Sequence, residues 1–216
     1  EITPVLRQLF KSEHFFDVLN RAAVIKSPVD YLIGQVRVFN TPFPPQNLYN
    51  ESWAFGQALE GILSQFKQVP GDPPDVAGWP AYYQVPQFDK LWITTDSYPR
   101  RLQVADYLLY VGYYYTDTDI IKIDPIAFTA ALNNPADIND LIYDATNLLL
   151  AYPVGQEVKD QLKAILLSGQ TADYYWTLAW NYLLDNPTDE TAYVLVYTRL
   201  AGMYRYLLQL EEYQLM

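Results

Sequence analysis

Residues 135–151 read PADINDLIYDATNLLLA, and the spacing of their apolar side chains decides the fold class. These side chains recur at intervals of three and four residues, which places them on one face of an α-helix and excludes a half-buried strand with its period of two. They are Ile138, Leu141, Ile142, Ala145, Leu148 and Leu149. The stretch therefore predicts an amphipathic helix that packs on neighbouring helices.

Helical patterns continue on both sides of this stretch, whereas strand signals are poor. The apolar seam of the last segment is Tyr193, Tyr197, Leu200, Tyr204 and Leu207. The predicted helices cover about residues 28–39, 48–68, 99–115, 125–132, 135–151, 155–167, 172–184 and 188–212. We expect an all-α fold, a helical bundle of about seven to nine helices with one long, irregular, proline- and aromatic-rich loop. Residues 1–216 are predicted to form a single helical domain, and a division near residues 116–124 is the alternative.

Several prolines mark helix starts. Each follows a side chain that can cap the first turn, and proline fits there because its missing N–H group would have no partner in the helix. The four pairs are Thr3-Pro4, Ser27-Pro28, Asp124-Pro125 and Asn134-Pro135. Ser27 and Asp30 also resemble a capping box with Asp in place of Glu.

The charge balance argues against nucleic acid as a partner. The net charge is −11, and residues 117–216 carry most of it, with five basic and fourteen acidic side chains. A chain with so few cations cannot release many counterions from a phosphate backbone. The absence of Cys excludes disulfides, thiol nucleophiles and Cys-based zinc sites. No apolar run reaches the roughly 20 residues of a membrane-spanning helix, so no transmembrane segment is predicted.

Catalytic motifs give little support for an enzyme. His14 is the only histidine, and its neighbours Phe15 and Phe16 suggest a helix end that packs on the core. A single His without Cys cannot build the usual zinc sites, and no Gly-x-Ser-x-Gly, Gly-x-Gly-x-x-Gly or Walker motif occurs. We predict no catalytic residue, no metal site and no cofactor.

Carboxylates leave one enzymatic alternative open, because glycoside hydrolysis needs only two suitably separated Asp or Glu side chains. The candidates in the irregular loop are Asp72, Asp75, Asp89 and Asp96. A second acidic group, Asp117, Asp119 and Asp124, could supply oxygen ligands to calcium, but it lacks the glycine and the final glutamate of an EF-hand loop. For both groups we favour the interpretation as turn and capping carboxylates.

The loop after the second predicted helix is the most informative segment for function. Residues 71–92 read GDPPDVAGWPAYYQVPQFDKLW, and the rings they hold are too many for a disordered segment. One interpretation is a loop whose rings close an open side of the bundle. The other is a rigid aromatic platform that stacks a sugar ring, a peptide or another flat ligand, with an arginine as a charged donor. Its candidate binding residues are Trp79, Tyr82, Tyr83, Trp92, Arg100 and Arg101.

Several short motifs then reveal a family resemblance. The motifs are KSPVDY at residues 26–31, GDPP at 71–74, GWP at 78–80, Trp92, and Arg100-Arg101. Together with the ending LLQLEEYQLM at residues 207–216, they resemble the domain of unknown function 1800 family. Leu210-Glu211 stands where that family usually has Ser-Pro, which is a mild departure.

The resemblance implies more about location than about activity. It covers the C-terminal half of a family member, whose additional helical N-terminal region would be absent here. It implies export to the bacterial cell envelope or exterior, because members commonly begin with a signal peptide, and it implies no established activity. We expect a non-catalytic binding or scaffold module that contacts a glycan or an envelope protein. The alternatives are an envelope-associated polysaccharide hydrolase and a structural subunit that pairs with another envelope protein.

Overall fold

The computed structural model describes residues 1–74, 76, 78–79 and 89–216. This part of the chain contains nine α-helices. They are α1 (Ile2–Phe10), α2 (Pro28–Val38), α3 (Tyr49–Gln65), α4 (Ser97–Asp106), α5 (Pro125–Ala130), α6 (Ile138–Leu149), α7 (Gln156–Leu167), α8 (Tyr174–Asp185) and α9 (Glu190–Gln209). A short antiparallel hairpin joins β1 (Tyr113–Tyr114) to β2 (Ile120–Ile121). The prediction of an all-α helical bundle of about seven to nine helices is confirmed.

Two of the four predicted capping pairs begin helices. The Ser27 hydroxyl accepts a hydrogen bond from the Asp30 N–H (3.2 Å), and Pro28 is the first residue of α2. Asp124 accepts hydrogen bonds from the N–H groups of Ile126 (2.9 Å) and Ala127 (3.0 Å) at the start of α5. These side chains satisfy backbone donors that have no partner inside the helix.

The other two pairs do not cap helices. Thr3 lies inside α1, whose N-cap position is Glu1. α6 begins three residues after Pro135, because Asp137 accepts hydrogen bonds from the N–H groups of Asn139 (2.8 Å) and Asp140 (3.1 Å). A carboxylate closer to the first helical turn therefore takes the capping role that we had assigned to Asn134.

The helix predicted over residues 99–115 extends past the end of the observed helix. α4 stops at Asp106, and a five-residue π-helical turn, Tyr107–Val111, follows it. Gly112 then takes φ +89°, where a Cβ atom would overlap the side chain of Ile120. This position needs glycine, and it turns the chain into the β1–β2 hairpin.

α9 is the central helix of the bundle and packs against α4, α5, α6, α7 and α8. Its buried side chains include Leu200, Tyr204 and Leu207, three members of the predicted apolar seam. The buried Tyr204 hydroxyl shares a hydrogen bond with the Thr129 hydroxyl (2.6 Å), which satisfies both polar groups inside the core. Helices from both sides of the β1–β2 hairpin thus meet on one helix.

The first 24 residues pack differently from the bundle. α1 has no buried residue, and Phe15 and Phe16 in the following 3₁₀ turn are exposed. Our expectation that these two rings pack on the core is wrong, because Phe15 packs edge-to-face on Phe10 and Phe16 packs edge-to-face on Phe15 instead. In the described ranges, no helix is both long enough and apolar enough to cross a membrane.

Candidate functional site

The aromatic loop is described only at its two ends. Tyr82, Tyr83 and Asp75 lie outside the described residues. Trp79 and Trp92 are both half-buried, so each ring has one part in protein contact and another part open to solvent. The described part of the loop therefore combines features of both interpretations, a packed loop and an exposed platform.

Trp92 borders a cleft of about 230 Å³ between the end of α3 and the start of α4. Phe66, Leu91 and Trp92 supply its apolar wall, while Lys67, Thr94 and Asp96 supply polar groups, and Gln65 and Ser97 complete the lining. The volume is below the roughly 300–1,000 Å³ of pockets for drug-sized ligands, so the cleft fits a single ring or side chain.

Local hydrogen bonds hold Trp92 against α4. The Ser97 hydroxyl donates to the Trp92 carbonyl (2.8 Å) and accepts from the Thr94 N–H (2.8 Å). In return, the Thr94 hydroxyl oxygen accepts from the Ser97 N–H (3.0 Å). This reciprocal pattern is that of a capping box, and it fixes the backbone on which the Trp92 ring is carried. On the other side, Lys67 turns the chain out of α3 with φ +62°.

The two neighbouring arginines point in different directions. Arg100 is exposed and forms an ion pair with Asp96 (3.0 Å), a residue that lines the cleft. Arg101 is fully buried, with its guanidinium 4.9 Å from the centre of the Tyr31 ring. Consecutive helix positions lie about 100° apart, so only one of them can face the core. Arg100 thus pairs with a residue that lines the cleft, and Arg101 is inside the molecule.

Arg101 belongs to a group of side chains drawn from three of the short motifs. The group, which we call the motif cluster, consists of Lys26, Tyr31, Arg101, Tyr213 and Gln214. Arg101 Nη2 donates to the Lys26 carbonyl (2.8 Å), and Nη1 donates to Gln214 Oε1 (3.4 Å). The Tyr31 hydroxyl donates to the Arg101 carbonyl (2.6 Å), and Lys26 Nζ donates to the Tyr213 carbonyl (2.7 Å). These contacts join α2, α4 and the last residues of the chain.

Backbone pairing reinforces this junction. Ile25 and Leu215 form an isolated antiparallel bridge. On one side of it the Lys26 N–H donates to the Gln214 carbonyl (2.7 Å), and on the other the Met216 N–H donates to the Val24 carbonyl (2.9 Å). The residues after α9 are therefore tied to the segment that precedes α2.

The motif cluster holds two cations in a poorly solvated place. Burial and the nearby Arg101 charge lower the pKa of Lys26 to about 8, and Asp30 opposes this shift. Burial lowers the pKa of Arg101 to about 10, so its guanidinium stays protonated at neutral pH. Neither cation forms an ion pair within the described ranges, and carbonyl oxygens and ring faces stabilise both instead. This arrangement binds chain segments together and offers no paired acid and base.

Four of the candidate carboxylates have structural partners. Asp89 Oδ2 accepts a hydrogen bond from the Ile25 N–H (2.7 Å), and Asp96 pairs with Arg100, while Asp72 is exposed. Asp119 accepts from the Thr116 hydroxyl (2.6 Å) within the hairpin turn, and Asp124 caps α5. Over the residues whose structure is described, no group of three His, Asp or Glu side chains is placed to hold a metal ion.

The motif residues indicate the family resemblance in the sequence, but the sequence does not predict that they contact one another. Lys26 and Gln214 are almost 190 positions apart, so no local pattern could join them. The signal that could have indicated their contact is a charged residue, Lys26 or Arg101, placed next to apolar and aromatic positions that a helix must bury.

Comparison with known proteins identifies a family and nothing closer. No curated protein matches the chain, and no solved structure does. A family model described as a protein of unknown function, DUF1800, matches residues 1–215. Because this match covers essentially the whole chain, the chain belongs to the DUF1800 family.

Proposed function

We propose that this protein is a non-catalytic binding module whose cleft beside Trp92 contacts a glycan. The observation that carries the proposal is the cleft itself, in which a half-buried indole lies beside hydrogen-bonding side chains. A sugar ring has an apolar C–H face and a polar edge. An indole face offers the matching apolar surface, and Thr94, Asp96 and Lys67 offer donors and acceptors for hydroxyl groups.

The lining of the cleft favours binding over hydrolysis. Glycoside hydrolysis requires two carboxyl groups on either side of the scissile bond. Asp96 is the one carboxylate among the described lining residues, and it is engaged by Arg100. We extend the proposal to location, and suggest that the protein acts at the cell envelope or outside the cell, as its resemblance to exported family members implies.

A binding screen with two variants tests this function. The purified protein is applied to an array of neutral oligosaccharides, and the strongest ligands are titrated by calorimetry. We expect Trp92→Ala to weaken binding at least tenfold, which corresponds to about 1.4 kcal/mol. Asp96→Asn should weaken it less, because this exposed residue supplies one hydrogen bond and no ring face.

Tyr143→Ala is the matched control, since it removes an exposed ring from α6. This variant should bind as the wild type does. Equal affinity of Trp92→Ala and the wild type would overturn the proposal, and so would the absence of binding to every oligosaccharide. Hydrolysis of the bound oligosaccharide, lost in Asp96→Asn, would replace it with the hydrolase alternative.

A further inference from the structure

The solvent-facing side of α3 carries two large exposed rings. Tyr49 is 80% exposed and Trp53 is 71% exposed. They are four positions apart, so they lie on the same side of the helix, about 6 Å apart along its axis. A tryptophan this exposed contributes little burial energy to folding, and exposed tryptophans are often part of contact surfaces.

Trp53 also borders a groove of about 350 Å³ between α2 and α3. Apolar surface of the lining comes from Ile33, Leu59, Leu63 and Pro70. Polar side chains, those of Ser52, Gln57 and Glu60, line the rest. The groove therefore presents one aromatic ring, an apolar base and a set of hydrogen-bonding groups. Of the lining residues that the structure describes, none is common to this groove and the cleft beside Trp92.

Gly56, which lines the groove, leaves room next to Trp53. Gly56 lies inside α3, where glycine costs roughly 1 kcal/mol relative to alanine. Among the described residues, a Cβ atom at this position would meet no atom within 4 Å, and the same holds for Gly61 of this helix. The missing side chain leaves open space beside the indole, which a ligand lying against Trp53 would need.

The chemistry of the groove fits a neutral sugar better than a protein surface. Gln57 can both donate and accept hydrogen bonds, and Glu60 and Ser52 can accept them from hydroxyl groups. Among the described lining residues Glu60 is the single charged one, and the chain carries a net charge of −11, both of which disfavour an acidic glycan. Beyond Trp53, this side of α3 continues with Gly56, Gln57 and Glu60, which offer hydrogen-bonding groups and little apolar surface.

We propose that the groove beside Trp53 is a second glycan-binding site, which stacks a neutral pyranose ring on the indole and binds its hydroxyl groups through Gln57 and Glu60. Tyr49, one helical turn away, extends the aromatic surface toward a neighbouring sugar unit. The site is independent of the cleft beside Trp92, so it can exist whether or not that cleft binds a ligand.

A matched pair of glycine variants tests this site. Gly56→Leu fills the space beside Trp53. Gly61→Leu adds the same side chain to the same helix but outside the described groove lining. At both positions a Cβ atom meets no atom of the described residues within 4 Å. Each variant, together with Trp53→Ala, is titrated with neutral gluco-, manno- and N-acetylglucosamine oligosaccharides. We carry out the titrations in a Trp92→Ala background, which separates this site from the other cleft.

We expect Trp53→Ala and Gly56→Leu to weaken binding at least tenfold and Gly61→Leu to leave it unchanged. Helix content by circular dichroism should be unchanged in all three variants, because the substituted positions are exposed. Absence of binding in the Trp92→Ala background would overturn the proposal, as would equal losses in the two glycine variants. Equal affinity of Trp53→Ala and its Trp92→Ala parent for the oligosaccharides would overturn it as well.

Discussion

α9 and α1 differ in how they use very similar sequence patterns. Both are amphipathic, yet eight of the twenty residues of α9 are buried and none of the nine residues of α1 is. The apolar side chains of α1 are Ile2, Val5, Leu6, Leu9 and Phe10, spaced by three and four residues along one helical face. An amphipathic pattern therefore shows that a helix has a face to cover, and only the tertiary structure shows whether another element covers it.

The largest effect is expected in the centre of the bundle. Leu200 of α9 is fully buried, so Leu200→Ala should lower the free energy of unfolding by about 2–5 kcal/mol through lost burial and a new cavity. Urea unfolding followed by circular dichroism measures this change. Val194→Ala on the same helix is the control. Because Val194 is exposed, this variant should lower the free energy of unfolding by less than about 0.5 kcal/mol. Similar losses in both variants would show that α9 is not the buried centre.

An intermediate effect is expected at Lys26, where the N-terminal segment meets the end of the chain. Below pH 8 this ammonium is protonated in the folded and unfolded states, and its burial disfavours the folded one. Burial and Arg101 lower its pKa from 10.5 to about 8, so the folded protein releases the proton first as the pH rises. Between pH 7.5 and 10 the stability of the wild type should therefore rise relative to Lys26→Met by about 2 kcal/mol.

Urea titrations of the two proteins at several pH values measure this difference. They should stop near pH 10, because burial raises the pKa of Tyr31 and of Tyr213 well above the usual value. Above pH 10 these tyrosines ionise first in the unfolded chain and destabilise both proteins. Parallel stability curves for wild type and Lys26→Met would mean that Lys26 is solvated in the folded state.

The smallest effect is expected in α1. Leu6→Ala is the same chemical change as Leu200→Ala, but Leu6 has no buried neighbour in its helix. Its cost should stay below about 0.5 kcal/mol, measured by the same urea titration. A loss of 2 kcal/mol or more would mean that the apolar face of α1 is covered in solution, and the contrast between the two helices would disappear.

The sequence predicted the helices better than their ends. The α6 prediction over residues 135–151 contains the observed helix Ile138–Leu149, because a periodic apolar face is a strong signal over three turns. Its start was misplaced because Asn134 and Asp137 are both good capping residues, and only the structure shows which one meets free N–H groups. The end of α4 was missed because the apolar run around Tyr107 continues through the π-helical turn to Gly112.

The site was less predictable than the fold. Trp92 was identified from composition, and the structure places it beside a cleft, but its role in binding stays a prediction. Arg100 and Arg101 could not be distinguished in the sequence, because both are long cations and the helix phase was unknown. Trp53 was overlooked because a tryptophan in an amphipathic helix is usually a core residue, and its exposure depends on where α2 lies.

The backbone pairing between Val24 and Met216 has a mechanical consequence. Tension applied at Met216 would be carried first by this antiparallel pair and by the contact of Lys26 with Tyr213, before it reached α9. The load would therefore pass into the start of α2, at the opposite end of the chain.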